Sequence, residues 1–316
     1  MAEPDPIAIV APWEKFSQHK RHCSPIATAL MNDPETRDVG RRIGLCASHL
    51  SLWVHLGEER PPEAVLLSAR LCNQRFCAFC EWRRVRAWRA RLFGGLAAFA
   101  LEHPTHRPIF LTLTIRNPEI ERTGETIKHL HDSFKRFRQC AFFPTGFWFR
   151  RTELTIEKGD ASFVKPTRTH PHMHVLLLVP ASFYGKNYVK KSEWTAQWQM
   201  AARLDYTPVV DVRAAYVYPS ATGEGASVGG VAFEAAKYMA KATDLAALGP
   251  KLPELHHQLK GQRMFAVSGP LSTFIKASEP EGEELTDKGS LPADLSAGLK
   301  VDVKWNPEAA AYFLTE

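Results

Sequence analysis

The chain has 316 residues, of which 45% are apolar and 23% charged, the composition of an ordinary globular protein with a packed core. Its 40 Lys and Arg residues exceed its 34 Asp and Glu residues by six, which permits a polyanionic partner without requiring one. The longest apolar runs, such as 92–101 and 175–179, are too short to span a membrane. The N-terminus lacks the basic start of a signal peptide, and six cysteines are too few for a disulfide scaffold, so we expect a cytoplasmic protein.

Composition divides the chain into three zones. Residues 1–100 hold five of the six cysteines and a dense run of arginines, while residues 105–276 carry most of the regular strand and helix periodicity. Residues 277–316 begin as an acidic segment rich in glycine, serine and proline, for which we predict a flexible tail.

The first motif is a cysteine cluster. Cys72, Cys77 and Cys80 place three thiols within nine residues, and a Cys-x2-Cys turn can present two thiolates to one ion. Buried free thiols are the alternative, but this spacing favours a structural zinc with four protein ligands. Cys46 is the closest fourth candidate in the sequence, and the remaining candidates are Cys23, His49 and His55.

A run of arginines follows the cluster, with tryptophans between them. Its members are Arg83, Arg84, Arg86, Arg89 and Arg91. Arginines on a helix suit phosphate contacts, and Trp82 and Trp88 suit stacking on unpaired bases. The alternative is a solvated helix face with both tryptophans buried on the opposite side.

The middle zone predicts strands interrupted by helices. Strands are expected at 109–115, 147–156, 170–179 and 209–212, and helices at 126–139, 192–204 and 231–243. Strands joined by unequal connections of this kind favour an α+β fold with an antiparallel sheet.

The segment His170-Pro-His-Met-His174 lies on one of these strands. Because alternate residues of a strand share a face, His170, His172 and His174 are expected on one side of the sheet. Two imidazoles at this spacing can hold one divalent ion, whereas a single core histidine would need no such explanation.

A third, harder ligand is expected from a neighbouring strand. Glu153 lies in the middle of the 147–156 strand. Burying a carboxylate there costs free energy unless it is paired with a cation or bound to a metal ion. A salt bridge with Arg151 or simple exposure is the alternative explanation, and Glu157 on the same face is the alternative ligand.

The predicted helix at 231–243 carries polar residues on one face. Glu234, Lys237, Tyr238 and Lys241 fall within about a third of its circumference. A phenol with an ordinary pKa near ~10 is a poor nucleophile at neutral pH, so Tyr238 would need a neighbouring ammonium or a metal-bound electrophile. A surface helix with Glu–Lys pairs is the alternative.

Taken together, the motifs resemble the single-tyrosine plasmid replication initiators of the HUH endonuclease superfamily. The strand Phe110–Thr114, the sequence His172-Met-His174 and the set Glu234, Tyr238 and Lys241 match that family's three motifs in order. Its cysteine-rich stretch is similar to the segment from Cys46, and Leu259–Lys276 resembles its segment after the tyrosine helix. The glycine-rich stretch 222–230 is a departure from the family pattern.

The resemblance implies a fold and a chemistry. The fold is an HUH core at 105–276, with a central antiparallel sheet flanked by helices, preceded by the zinc-binding and DNA-contact region at 1–100. Mg²⁺ or Mn²⁺ on His172, His174 and Glu153 would polarise the scissile phosphate. Tyr238 would attack, Lys241 would stabilise charge, and Glu234 would activate water at termination.

The resemblance also implies partners. The substrate would be plasmid origin DNA, single-stranded or extruded as a hairpin, and a host helicase, a polymerase and oligomerisation are expected. Three alternatives stay open: a conjugative relaxase or single-tyrosine transposase, a zinc-bearing DNA-binding regulator without catalysis, and, more distantly, a small-molecule metallohydrolase.

Overall fold

The structure is a computed structural model that describes residues 11–55, 63–157, 167–185, 187–214, 231–232, 235–236, 240–277 and 298–315. The chain forms two compact units, residues 1–83 with 281–316 and residues 84–280, and the boundary lies within one helix. Over the described ranges, no helix is both long enough and apolar enough to cross a membrane.

The elements alternate as an α+β protein. The helices are α1 (Glu14–Arg21), α2 (Cys23–Met31), α3 (Arg37–Leu45), α4 (Ala78–Glu102), α5 (Thr123–Phe137), α6 (Lys191–Ala202), α7 (Ala242–Ala247), α8 (Leu252–Gln258) and α9 (Gly269–Ala277). The strands are β1 (His49–His55), β2 (Glu63–Ala69), β3 (Arg107–Thr114), β4 (Trp148–Ile156), β5 (Thr169–Val179), β6 (Val210–Ala214), β7 (Phe265–Val267), β8 (Gly298–Asn306) and β9 (Ala311–Leu314).

The first unit combines three helices with a four-stranded antiparallel sheet in the order β2-β1-β8-β9. The inward residues of β1 alternate with half-buried ones, as expected for a sheet that buries one face. Tyr312 on β9 is buried, and its hydroxyl donates a hydrogen bond to the carbonyl oxygen of Ala47 at 2.6 Å. The C-terminal strands are therefore part of this unit's core.

These strands correct the prediction of a flexible tail over 277–316. Residues 298–306 pair along the whole of β1, from His49 opposite Lys304 to His55 opposite Gly298. Leu299, Val301, Val303 and Trp305 alternate with polar residues in this segment, which is a strand pattern that the average acidity of the tail concealed. Residues 278–297 lie outside the described residues.

The second unit is built on a five-stranded antiparallel sheet in the order β6-β3-β5-β4-β7. One face packs on α5 and α6 through a core that includes Phe134, Phe137 and Trp198 on the helices and Met173 and Val175 on β5. The α+β class with antiparallel sheets flanked by helices is confirmed.

The other face of this sheet packs on α4, on α9 and on residues 231, 232, 235 and 236. Phe149 and Leu176 of the sheet contact this second core, which contains Leu92, Leu96 and Ala236. Gly95 on α4 allows the approach, because a Cβ atom there would lie 2.9 Å from the Cα atom of Ile275. The sheet is thus covered by apolar contacts on both faces.

Replacing Tyr312 tests whether the C-terminal strands belong to the folded unit. Tyr312 is 3% exposed and its neighbour on β9, Phe313, is 52% exposed. We expect Tyr312→Ala to lower the free energy of unfolding by about 3–5 kcal/mol and Phe313→Ala to change it by less than about 1 kcal/mol. Chemical denaturation measures both, and equal small effects would show that β9 contributes little.

Candidate metal centres

The first centre is set by the register between β4 and β5. Glu153 lies directly opposite His172, and Arg151 lies opposite His174, so these four side chains share one face of the sheet. The Glu153 Oε2 atom is 3.0 Å from His174 Nε2 and 3.6 Å from His172 Nε2. One ligand atom from each of Glu153, His172 and His174 lies within 4.8 Å of the others, so the group can hold a metal ion.

The carboxylate of this group is held in its charged form. Burial alone would raise the pKa of Glu153, but hydrogen bonds and charge interactions from His172 and His174 outweigh it and hold the pKa well below its usual range. A charged carboxylate beside two imidazoles is a donor set that suits a divalent cation.

Neighbouring oxygens orient both imidazole rings. His174 Nδ1 lies 3.2 Å from the Thr112 hydroxyl, and His172 Nδ1 lies 3.2 Å from the carbonyl oxygen of His170. When each Nδ1 proton is donated to these oxygens, the Nε2 lone pairs remain available on the side of Glu153. The residues present therefore fit a bound divalent ion.

Two other candidates from the sequence belong to a separate network. His170 Nδ1 hydrogen-bonds to the Asn117 side-chain oxygen at 2.5 Å. The Asn117 amide nitrogen in turn donates to Glu157 at 3.4 Å, and Glu157 lies 3.7 Å from Arg168. Of the two alternative acids, the structure places Glu153 in the ligand group and Glu157 outside it.

The tyrosine motif is only partly described. Tyr238, Glu234 and Lys237 lie outside the described residues. Residues 231, 232, 235 and 236 pack against Phe149 and Leu176, which by strand alternation lie on the same face of the sheet as Glu153 and His174. The described residues that precede Tyr238 therefore belong to the core on the face with the first metal centre.

Lys241 requires a correction. A continuous helix was predicted over 231–243, but Lys241 has an extended backbone (φ −72°, ψ 136°) and precedes α7. The helical spacing of residues in the sequence does not reveal a break in the helix at Lys241. Thr243 and Asp244, which lie in the first turn of α7, are the start signal that could have revealed the break.

Asp211 on β6 was missed by sequence reasoning. Thr112 on β3 pairs with Asp211 on one side and with His174 on the other, so Asp211 lies on the metal face in the same cross-strand row. It forms an ion pair with Arg213 at 2.5 Å. Only the sheet order places it there, and no local motif in the sequence marks this residue.

The second centre lies in the first unit and consists of cysteines. Cys46, Cys72, Cys77 and Cys80 are all buried, and their sulfur atoms lie within 4.8 Å of one another. The Cys46–Cys80 and Cys72–Cys80 sulfur distances are 3.5 and 3.8 Å. Four thiolates at ~2.3 Å from one zinc ion would be separated by ~3.8 Å, so this group fits a tetrahedral metal site.

Other groups around the cluster complete its surroundings. The Cys23 sulfur lies 3.8 Å from that of Cys77, which brings a fifth buried thiol to the edge of the group. Lys20 is 3% exposed, and its ammonium donates to the carbonyl oxygens of Gly44 at 2.7 Å and Cys46 at 2.5 Å. Hydrogen bonds from Cys46 and then from Cys77 and Cys80 hold the pKa of Cys72 far below its usual range. A buried cation thus lies at the edge of the four-cysteine group.

The arginine run lies on α4, as predicted, with unequal exposure. Arg86 is exposed, and Arg84, Arg89 and Arg91 are half-buried. The prediction that Arg83 contacts DNA needs a correction. Arg83 is only 3% exposed, because it lies one helical turn after the buried Phe79. Both tryptophans are packed within the protein, Trp82 against His19 at 4.1 Å and Trp88 against Phe265 at 4.3 Å.

The fold and the two donor sets define an α+β protein that can hold one metal ion on two histidines and a carboxylate and another on four cysteines. A family model described as a replication protein matches residues 63–313 of the chain. The chain therefore belongs to the replication protein family, and the resemblance to plasmid replication initiators is confirmed.

Curated relatives agree with this assignment over most of the chain. A "Protein rep" of Bacillus amyloliquefaciens is 30% identical over 304 residues, which cover 86% of this chain and 84% of that protein. A "Protein rep" of Streptococcus pneumoniae serotype 2 (strain D39 / NCTC 7466) is 28% identical over 258 residues, covering 79% and 77%. A "Replication protein" of Staphylococcus aureus is 28% identical over 228 residues, covering 68% and 93%. No solved structure shows a significant match.

Cysteine substitutions test the second centre. Metal analysis of the purified chain should find about one tightly held ion that Cys72→Ser loses, because three thiolates no longer complete a tetrahedral set. Cys140 is half-buried and outside the cluster, so Cys140→Ser should retain the ion. Equal metal content in both variants would contradict a site at these four cysteines.

Proposed function

We propose that the chain initiates rolling-circle replication of a plasmid by nicking and rejoining one DNA strand at the origin. The observation that carries the proposal is the Glu153–His172–His174 group on the sheet face against which the described residues just before Tyr238 are packed. Membership of the replication protein family supports the same conclusion.

The first centre would hold Mg²⁺ or Mn²⁺, because phosphate is a hard ligand and the group combines a carboxylate with two imidazoles. A bound ion of this kind supplies Lewis acidity to the scissile phosphate. Glu153 provides the negative charge that retains the ion, and His172 and His174 fix its position. Thr112 keeps the His174 ring in the orientation that points Nε2 toward Glu153.

Tyr238 would be the nucleophile. Its phenol oxygen would attack the scissile phosphorus in line, the bond to the 3′ oxygen would break, and the products would be a 5′-phosphotyrosine and a free 3′-OH for a polymerase. Lys241 would stabilise negative charge on the phosphate or phenolate. At termination Glu234 would activate a water molecule to release the attached strand.

The remaining parts of the chain would support this reaction. The four-cysteine group would hold a structural Zn²⁺, since four protein ligands leave no open position for catalysis. The exposed and half-buried arginines of α4 would contact the DNA backbone. A host helicase and polymerase would extend the nicked strand, and an oligomer would form at the origin.

Two related functions would use the same residues. A relaxase or single-tyrosine transposase would use similar histidine and tyrosine chemistry, and membership of the replication protein family favours initiation over both. A regulator without catalysis would bind the same DNA through its basic residues. Only the initiator, relaxase and transposase would form a covalent link to DNA.

A nicking assay with the tyrosine variant tests the proposal. Tyr238→Phe should abolish Mg²⁺- or Mn²⁺-dependent nicking of a supercoiled plasmid with the cognate origin, together with the covalent protein–DNA adduct on a denaturing gel. Tyr188 is exposed and outside the site, so Tyr188→Phe should nick as the wild type does. Binding without nicking by the wild-type chain would favour a regulator.

Removing a ligand or the water-activating acid should give separable defects. His172→Ala should lower the nicking rate by about 10³-fold or more, because loss of a Lewis acid removes several kcal/mol of transition-state stabilisation. His129 on α5 contacts the Ala202 carbonyl instead, so His129→Ala is the control variant and should nick as the wild type does.

The variant Glu234→Ala should nick the origin but fail to terminate on a two-origin plasmid. Normal termination by this variant would assign the water-activating role to another residue.

A further inference from the structure

Two arginines and a histidine lie on the face of the second unit's sheet opposite Glu153, His172 and His174. We call them the α5–β4 basic cluster and define it as His131, Arg138 and Arg150. Arg150 and Thr152 on β4 alternate with Arg151 and Glu153, so their side chains point toward α5. The His131 ring contacts Thr152, which confirms this direction.

Arg150 is the centre of the cluster. It is 8% exposed, and its one hydrogen bond to a described residue is a long contact of 3.5 Å from Nη1 to the Thr152 hydroxyl. A guanidinium has five donors, so most of the hydrogen-bonding capacity of Arg150 is left for a ligand. Burial lowers the pKa of Arg150 to about 10, and the positive charge of Arg263 contributes to the shift.

Of the other two residues in the cluster, Arg138 adds a positive charge and His131 is uncharged. Arg138 lies over the Trp148 ring at 5.7 Å, two residues along the strand from Arg150. Burial and then the charge of Arg150 lower the pKa of His131 to about 3, so this ring is neutral, and its Nε2 atom can accept a hydrogen bond from the Thr152 hydroxyl at 2.9 Å. The network of His131 and Thr152 thereby fixes the position of Arg150.

Within the described ranges, no carboxylate lies at ion-pair distance from Arg138 or Arg150. On α5 itself, Glu125 is paired with Arg122, and Asp132 is exposed. A buried guanidinium such as that of Arg150 is costly without a charge partner, so an anion bound beside it would stabilise the fold.

We propose that the α5–β4 basic cluster binds a phosphate of the DNA backbone, on the side of the sheet away from the metal face. A phosphate matches the planar donors of the Arg150 guanidinium, and the positive charge of Arg138 would add to the attraction. The assignment of DNA as the source of the phosphate rests on the proposed function. The contact would hold DNA that flanks the nicking site and would read no bases.

The salt dependence of DNA binding tests this site. Fluorescence anisotropy would measure the binding of a labelled origin oligonucleotide, as a single strand and as a duplex, from 50 to 300 mM KCl. Each phosphate contact contributes about 0.7 to the slope of log affinity against log salt for single strands and about 0.9 for duplexes. Arg150→Gln should lower the slope by about that amount, and Arg150→Lys should lower it less or not at all.

Two further variants separate binding from folding. Arg138 is exposed, so Arg138→Gln should leave the fold intact and lower the slope in the same direction. Arg122, which is also exposed but paired with Glu125, gives the control Arg122→Gln, for which we expect the wild-type slope.

Unchanged slopes in both Arg150→Gln and Arg138→Gln would overturn the proposal, and so would weaker binding of these two variants with a wild-type slope. A wild-type chain that binds DNA with these slope changes but does not nick would reject the proposed function and leave this phosphate site standing. A wild-type chain that nicks while the slopes stay constant in these variants would support the proposed function and reject the phosphate site.

Discussion

The antiparallel register of β4 and β5 is the constraint on which the candidate site depends. It sets Glu153 opposite His172 and places His174 on the same face two residues later. A shift of β4 by one residue would place Leu154 opposite His172 and would turn Glu153 toward the other face of the sheet. The pairing of β5 with both β3 and β4, together with apolar packing on both faces, makes such a shift costly.

The two candidate centres differ in the chemistry of their ligands. Soft thiolates in a buried, closed group suit a structural ion. A carboxylate oxygen with two imidazoles at the sheet surface suits an ion that would also bind a phosphate, as the proposed function requires. In the first unit the cysteines come from the end of α3, from the loop before α4 and from α4 itself, so a bound ion would join segments that otherwise have few covalent constraints. Lys20 would lie beside its negative charge.

Much of the second unit could be predicted from the sequence, because its signals are local. The alternation of His170–Val179 predicted both the strand and the face of its histidines, and the structure has β5 at Thr169–Val179. Glu153 followed from the cost of placing an acid in a strand. The cysteine spacing predicted three members of the second group, and Cys46 joined them as the nearest remaining thiol.

The features that were missed depend on contacts distant in sequence. Pairing of β8 with β1 joins residues about 250 positions apart, so an acidic linker concealed two strands of the first unit. Asp211 reaches the metal face only through the order β6-β3-β5. The burial of Arg83 depends on packing, and so does the lack of a carboxylate near Arg150 among the described residues. In the composition both residues count only as positive charges.

Binding of Mn²⁺ followed by electron paramagnetic resonance tests the central claim most directly, because it measures the ion at the Glu153 group without requiring the origin sequence. The wild-type chain and the Glu157→Gln variant should each bind Mn²⁺ at one site of matching affinity. Glu153→Gln should weaken that site by at least about 10-fold, since it removes the charged ligand. Unchanged affinity in Glu153→Gln would contradict a metal centre at this register of the sheet.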